Sequence, residues 1–222
     1  MKKTLITLLA FCGVTMAASD FSSSITTGTT TGNGNYYGFT LSLTDTFVNT
    51  TFTNQDYLEL PQLLQLDAIT LYTRTDSVSI QRTPYLAIYE YSEDGTTGTF
   101  VGISTNNPDA KVANTEFTFN FSDVTLSSTK QYQMLFVNST STATNVDTYD
   151  EYKEHGVNVC ISVLQQSSLP SGDALYKGTD ISSKEGTYLP KLTITTSAVP
   201  EPATATLSLL ALAGLAARRR RR

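Results

Sequence analysis

The sequence predicts an all-β domain, a single antiparallel β-sandwich of the jelly-roll kind. From residue 36 onward, short apolar runs rich in Thr, Val, Ile, Phe and Tyr are separated by clusters of Gly, Asn, Asp and Ser, a composition typical of strands and turns. Within the runs, apolar and polar residues alternate, so each strand has one face to bury, as in an antiparallel sandwich. Roughly nine or ten such runs suit a jelly roll better than the seven strands of an immunoglobulin domain, and the pattern leaves the connectivity open.

Nine of these runs are distinct enough to be assigned as strands. They are 37–43, 47–53, 68–73, 85–91, 100–104, 116–121, 132–138, 157–164 and 189–195. The residues that should face the core are, most clearly, Phe117, Phe119, Phe121, Ile69, Leu71, Leu192 and Ile194. Between the fourth and fifth runs, Asp94-Gly95 has the turn chemistry of a β-hairpin. The interior of the chain lacks the 3.6-residue apolar period of a long amphipathic helix.

Residues 1–18 have the order of a secretory signal peptide. Lys2 and Lys3 precede an apolar run over residues 5–14, and small residues follow it. The run is shorter than the roughly 20 residues that span a bilayer. We therefore expect a signal helix that is cut off near Ala17 or Ala18, which implies the Sec translocon and signal peptidase as partners.

Each of the two cysteines has a competing interpretation. Cys12 would carry a lipid in a lipoprotein signal, but Phe11 is bulky where lipid-attachment sites have small residues. Once the signal is removed, Cys160 has no partner for an intrachain disulfide. It lies in a predicted strand on the face opposite Val159 and Ile161, where we expect a small, half-buried residue rather than a reactive thiol.

Residues 198–222 combine three elements in order. Pro200-Glu201-Pro202 is followed by an uncharged, largely apolar segment over residues 203–217 and then by an arginine cluster. The prolines disfavour a helix and leave an extended, accessible chain, whereas the arginines resist translocation and stay cytoplasmic. The cluster consists of Arg218, Arg219, Arg220, Arg221 and Arg222. We therefore expect a hydrophobic C-terminal helix that halts in the inner membrane with the prolines on the outer side.

This tail resembles the PEP-CTERM sorting signal of Gram-negative bacteria. Pro200, Glu201 and Pro202 match its tripeptide, and the apolar segment and arginine cluster match its other two elements. The resemblance implies recognition by an exosortase, a membrane-embedded cysteine protease that removes the tail and passes the protein on. It further implies transient anchoring in the inner membrane and then a place at the cell surface or in the extracellular matrix. A plain C-terminal membrane anchor is the alternative, although the apolar segment is short for a stable span.

These signals divide the chain into four parts. They are a signal peptide over 1–18, a Ser/Thr/Gly-rich linker over 19–35, the β-sandwich domain over 36–197 and the sorting signal over 198–222. Removal of signal and tail takes seven of the 15 Lys and Arg and, if the cut follows Glu201, none of the 20 Asp and Glu, which leaves a net charge of −12. Nucleic acid and anionic lipid both favour a basic face. No nucleic acid is therefore expected as a partner.

The sequence offers little for catalysis or metal binding. His155 is the one histidine in the chain, so nucleophilic triads and zinc sites lack residues. Asp147, Asp150, Glu151 and Glu154 lie close together in sequence, and clustered carboxylates suit Ca²⁺. Their spacing matches no calcium loop, so we expect no cofactor, with calcium as the alternative to a solvated acidic loop. The protein is accordingly expected not to be an enzyme.

Tyrosines carry the sharpest hypothesis about a ligand. Tyr149 and Tyr152 lie beside Asp147 and Asp150 and form with them a candidate ligand loop, because aromatic rings stack on sugar rings. A second group on one strand face consists of Tyr85, Tyr89 and Tyr91. Extracellular polysaccharide is therefore a candidate partner, and carbohydrate binding is the alternative to the leading expectation of a structural or surface-display role. Glycan hydrolysis is less favoured, because no pair of carboxylates is singled out.

Overall fold

The part of the protein that the structure describes is all-β, as the sequence predicts for the domain. A computed structural model describes residues 20–25, 29–43, 51–52, 62–74, 83–91, 98–138, 156–165, 175–176, 184–185 and 188–199. Within these stretches, the elements are fourteen strands: β1 (Asp20–Ile25), β2 (Thr29–Tyr36), β3 (Gly38–Ser42), β4 (Thr51–Phe52), β5 (Leu63–Tyr72), β6 (Tyr85–Glu90), β7 (Phe100–Ile103), β8 (Glu116–Ser127), β9 (Gln131–Val137), β10 (Val159–Gln165), β11 (Leu175–Tyr176), β12 (Lys184–Glu185), β13 (Tyr188–Pro190) and β14 (Leu192–Ala198).

The strands form three antiparallel sheets. One has five strands in the order β4-β1-β14-β5-β8, one has six in the order β12-β11-β3-β9-β6-β7, and one has three in the order β13-β10-β2. Every pair of neighbouring strands runs antiparallel. The first and last described strands, β1 and β14, lie side by side in the five-stranded sheet.

One hydrophobic core joins the three sheets, since each contributes buried side chains to it. Phe119 of the five-stranded sheet lies against Phe136 of the six-stranded sheet, with ring centroids 6.0 Å apart. Phe39, from the strand beside that of Phe136, packs on the same ring at 6.3 Å. The seven residues expected to face the core are all buried there, which confirms the period of two in those strands.

In the two longest strands, β5 and β8, the alternation of buried and exposed residues shifts by one position halfway along. In β5, buried Leu64 and Leu66 give way to buried Ile69 and Leu71, so the alternation shifts by one residue. The register between β5 and β8 shifts at the same place, where Asp123 adopts a positive φ of 59°. This irregularity explains why the strand patterns at 68–73 and 116–121 cover only half of the strands observed.

Two strands lie in the Ser/Thr/Gly-rich stretch that was expected to be a linker. β1 pairs with β14 over six residues, and β2 pairs with β10 on the edge of the three-stranded sheet. Hydrogen bonds to neighbouring strands thus satisfy the backbone groups of β1 and β2. These bonds form without an alternation of apolar and polar side chains along the stretch. The described fold therefore begins before residue 36.

The predicted strand at 189–195 is divided between two sheets. β13 pairs with β10 in the three-stranded sheet, and after Lys191 the chain enters β14 in the five-stranded sheet. The Lys191 N–H donates to the Ser162 carbonyl at 3.0 Å, which fixes the crossing point. The last strand before the tail is therefore separate from the strand that precedes it.

Candidate functional site

The last strand holds the point at which the C-terminal tail leaves the domain. β14 is an interior strand, bonded to β1 on one side and to β5 on the other. Its inward side chains Leu192 and Ile194 are fully buried. Pairing continues to the end of the strand, because Ser197 lies opposite Asp20 and Ala198 lies opposite Leu64. The chain is thus held in register up to Ala198, two residues before the Pro-Glu-Pro tripeptide.

Several chain segments meet where the tail leaves, and we call this region the tail end of the domain. It is defined by Asp20, Leu63, Ala198 and Ser127, which lie at matching ends of neighbouring strands. The turn between β8 and β9 belongs to it. There the Ser127 N–H donates to the Tyr132 hydroxyl at 2.6 Å. The tail end also contains the start of the described chain, two residues beyond the expected signal cleavage at Ala18.

The surface of the tail end carries an ion pair and an exposed leucine. Lys130 donates to the Glu90 carboxylate, and this hydrogen bond raises the pKa of the exposed lysine. Leu63 is 46% exposed, although the next residue, Leu64, is fully buried. Among the residues whose side chains the structure describes, the tail end therefore presents to solvent the ion pair of Lys130 with Glu90 and the large apolar side chain of Leu63. Sequence reasoning missed Leu63, because an exposed leucine inside an apolar run has no distinctive pattern.

The opposite end of the domain is where the chain leaves toward the candidate ligand loop. β9 ends at Val137, and Gly156 forms a bridge with Val137 when the chain returns. Val137 lies beside Tyr85, at the end of the six-stranded sheet away from the tail. The loop residues Asp147, Tyr149, Asp150 and Tyr152, like Glu151, Glu154 and His155, lie outside the described residues.

Tyr85 and Tyr89 lie on the face of the six-stranded sheet that points away from the main core, and Tyr91 follows directly after β6. Tyr89 is fully buried there in a second apolar cluster with Leu135 and Tyr176. Its ring meets Phe100 edge on, with centroids 5.5 Å apart. A ring enclosed in this way cannot stack on a sugar, so Tyr89 serves packing.

Tyr176 in the second cluster makes stability sensitive to alkaline pH. Its hydroxyl is buried with the Gln133 side chain as a polar neighbour, and burial raises the pKa of Tyr176 more than the contact with Gln133 lowers it. A raised pKa in the folded state favours the protonated form. The resulting stability is complete below the unfolded pKa of about 10 and is lost as pH rises toward the folded pKa.

We therefore expect Tyr176→Phe to flatten the loss of stability above pH 10 and to cost about 1 kcal/mol at pH 7, because one neutral hydroxyl hydrogen bond contributes about that much net free energy. Urea unfolding at pH 7 and at several alkaline pH values measures both effects. Parallel pH profiles for Tyr176→Phe and the parent would contradict the assignment.

Cys160 is more enclosed than the half-buried position expected. β10 is the middle strand of its sheet, with Val159 and Ile161 in the main core. On the other face the Cys160 thiol is fully buried and donates to the Asn35 side-chain carbonyl at 2.7 Å. Both faces of β10 are therefore covered, which supports the packing role predicted for Cys160 over a reactive one.

Comparison with known proteins identifies the tail rather than the folded domain. Among the residues that the structure describes, no helix is long and apolar enough to cross a bilayer. No curated protein matches the chain, and no solved structure matches its fold. Residues 198–222, however, match the PEP-CTERM protein-sorting motif. The resemblance found in the sequence is thereby confirmed, and the motif implies an exported protein with a C-terminal membrane anchor that is processed by an exosortase-type system.

Proposed function

We propose that this chain is a cell-envelope or extracellular-matrix protein that is sorted by an exosortase and then has a structural or surface-display role. The observation that carries the proposal is the PEP-CTERM motif at residues 198–222, joined directly to the last strand of a folded domain. An N-terminal signal helix brings the chain to the Sec translocon, and signal peptidase removes it near Ala18. The hydrophobic helix then anchors the tail, and the exosortase releases the domain to the surface. The domain itself is not an enzyme and needs no cofactor.

Jelly-roll topology is the form we propose for the domain. Eight of the strands support it: β1, β3, β5, β6, β7, β8, β9 and β14. Numbered one to eight in chain order, they pair as first with last, second with seventh, third with sixth and fourth with fifth. This is the pairing of a long folded ribbon wrapped into two four-stranded sheets, which is how a jelly roll forms. Such a fold presents loops at two ends and is suited to display at a surface.

The sorting proposal is tested by replacing Pro200, Glu201 and Pro202 with alanine in the native host. We expect the parent protein to lose the tail and leave the inner membrane, and the variant to keep the tail and remain there, because the protease has lost its recognition sequence. Intact mass and membrane fractionation measure the two outcomes. A control with Thr204→Ala and Thr206→Ala alters the tail just beyond the tripeptide and should be processed like the parent.

An uncleaved tail in both parent and variant would contradict exosortase processing and leave a plain membrane anchor. Cleavage of both proteins at the same bond would show that the tripeptide is not what the protease recognises. Neither outcome depends on the stability of the domain, because the substituted residues lie beyond β14.

Carbohydrate binding is the second candidate function. It is favoured by the position of Val137 and Gly156, which form a bridge and have the acidic, tyrosine-containing segment between them in the chain. These residues lie at the end of the domain away from the tail, where a ligand outside the cell would approach. Retention on immobilised polysaccharide that is lost on Tyr149→Ala with Tyr152→Ala, but not on Tyr188→Ala, would support it over a purely structural role.

A further inference from the structure

The distance between the folded domain and the membrane anchor is limited by the number of residues that join them. β14 holds the chain in register up to Ala198, and the apolar segment begins at Ala203. The five peptide links between these two residues span at most about 18 Å, whatever conformation they adopt. A strand as long as β5 covers about 30 Å. The anchored domain therefore cannot move farther from the bilayer than a fraction of its own length.

The same limit fixes which part of the domain faces the bilayer. Ala198 lies at the tail end, beside Leu64, so the tail end must be the part nearest to the membrane. Leu63 lies there and is 46% exposed. Among the residues that the structure describes, the other exposed large apolar side chain is Val112, at 59%. Val112 lies at the opposite end, where its carbonyl accepts a hydrogen bond from Thr73.

We infer that, while the tail is anchored, the tail end of the domain rests on the outer surface of the inner membrane with Leu63 in contact with the lipid interface. This inference rests on the proposed function, because it requires the anchored intermediate. An exposed leucine gains free energy by leaving water for the interface. The acidic net charge disfavours spontaneous binding to anionic lipid, so the contact depends on the short connection to the anchor. The bond cut by the exosortase then lies between the bilayer and the tail end, and the protease must approach it from the side.

Single cysteines test this arrangement in the chain that keeps the tail. The background lacks residues 1–18, as after signal cleavage, and carries alanines at Pro200, Glu201 and Pro202 to keep the tail uncut. Its one remaining cysteine, Cys160, is buried. Leu63→Cys and Val112→Cys are labelled with an environment-sensitive fluorophore after reconstitution into zwitterionic vesicles that contain quencher-bearing lipids. We expect the label at 63 to be at least about twofold more strongly quenched than the label at 112, because the two ends lie about 30 Å apart. The unsubstituted background chain measures labelling of Cys160.

A spacer inserted before the tripeptide tests whether the short connection to the anchor is what causes the lipid contact at residue 63. Twenty Gly/Ser residues inserted between Val199 and Pro200 add a coil of roughly 25 Å, so quenching at 63 should fall to the level seen at 112. Equal quenching at 63 and 112 in chains that stay with the vesicles would overturn the inference and leave the sorting proposal intact. Quenching at 63 that the spacer does not change would overturn it as well. Chains that fail to stay with the vesicles would overturn anchoring, and the inference with it.

Discussion

A fragment that ends at Lys191 will not fold, whereas a fragment that ends at Val199 will unfold cooperatively. The shorter fragment lacks β14, which bridges β1 and β5 inside the five-stranded sheet. Leu192 and Ile194 are fully buried in that strand, and burial of each contributes roughly 1.5–3 kcal/mol. Loss of both, together with two ladders of backbone hydrogen bonds, is comparable to the total stability of about 5–15 kcal/mol of a typical domain.

Circular dichroism during urea unfolding of the two fragments, both begun at Ser19, measures this effect. Point variants test the same strand without truncation: Ile194→Asn places an amide in the core and should cost about 3 kcal/mol or more. Thr195→Asn, which lies on the other face of β14, should cost less than about 1 kcal/mol. A cooperative transition in the fragment that ends at Lys191 would show that β14 is dispensable to the fold.

This result bears on sorting, because β14 and the sorting motif are adjacent. The strand ends at Ala198, so removal of the tail beyond Val199 takes away no described strand residue. Processing therefore leaves the domain folded. A cut within β14 would instead destabilise the product, whereas any cut after Ala198 leaves the described strands intact.

Sequence periodicity predicted the strands whose alternation is unbroken. Phe117 and Phe119, with Ile69 and Leu71 on the neighbouring strand, are all buried as expected, because an antiparallel sheet covered on one face imposes a period of two. The prediction stopped at Phe121, where Asp123 interrupts the alternation, and the remainder of β8 was missed. A period of two cannot be followed through a bulge, since the extra residue exchanges the two faces.

Strand pairing between segments that are far apart in the chain could not be predicted from local sequence patterns. β1 forms because β14 offers it backbone partners 167 to 177 residues later in the chain, from Ile25 opposite Leu192 to Asp20 opposite Ser197. The Ser/Thr/Gly-rich composition of the segment indicates a linker when taken alone. The sorting tail, by contrast, was recognised from sequence, because its three elements are contiguous. The exposure of Leu63 beside the tail followed only from topology.

Phe119→Ala will lower the free energy of unfolding by about 3–5 kcal/mol, the second large effect that we expect. Phe119 is fully buried and touches two other rings, Phe117 at 5.7 Å and Phe136 at 6.0 Å. Because Phe136 belongs to the opposite sheet, truncation opens a cavity where the two larger sheets meet. The surrounding strands are held by their hydrogen-bond ladders and cannot collapse to fill it.

Thr118→Ala is the matched control, since Thr118 is the preceding residue of β8 and faces the other way. Its hydroxyl lies 2.8 Å from that of Thr70 on the outer face of the sheet, so its loss should cost about 1 kcal/mol or less. Urea midpoints of the two variants, at unchanged slope, give the comparison. Equal destabilisation by the two substitutions would mean that the core does not lie on the side of β8 that carries Phe119. A large cost confined to Phe119 would establish that the five- and six-stranded sheets are held together through this ring.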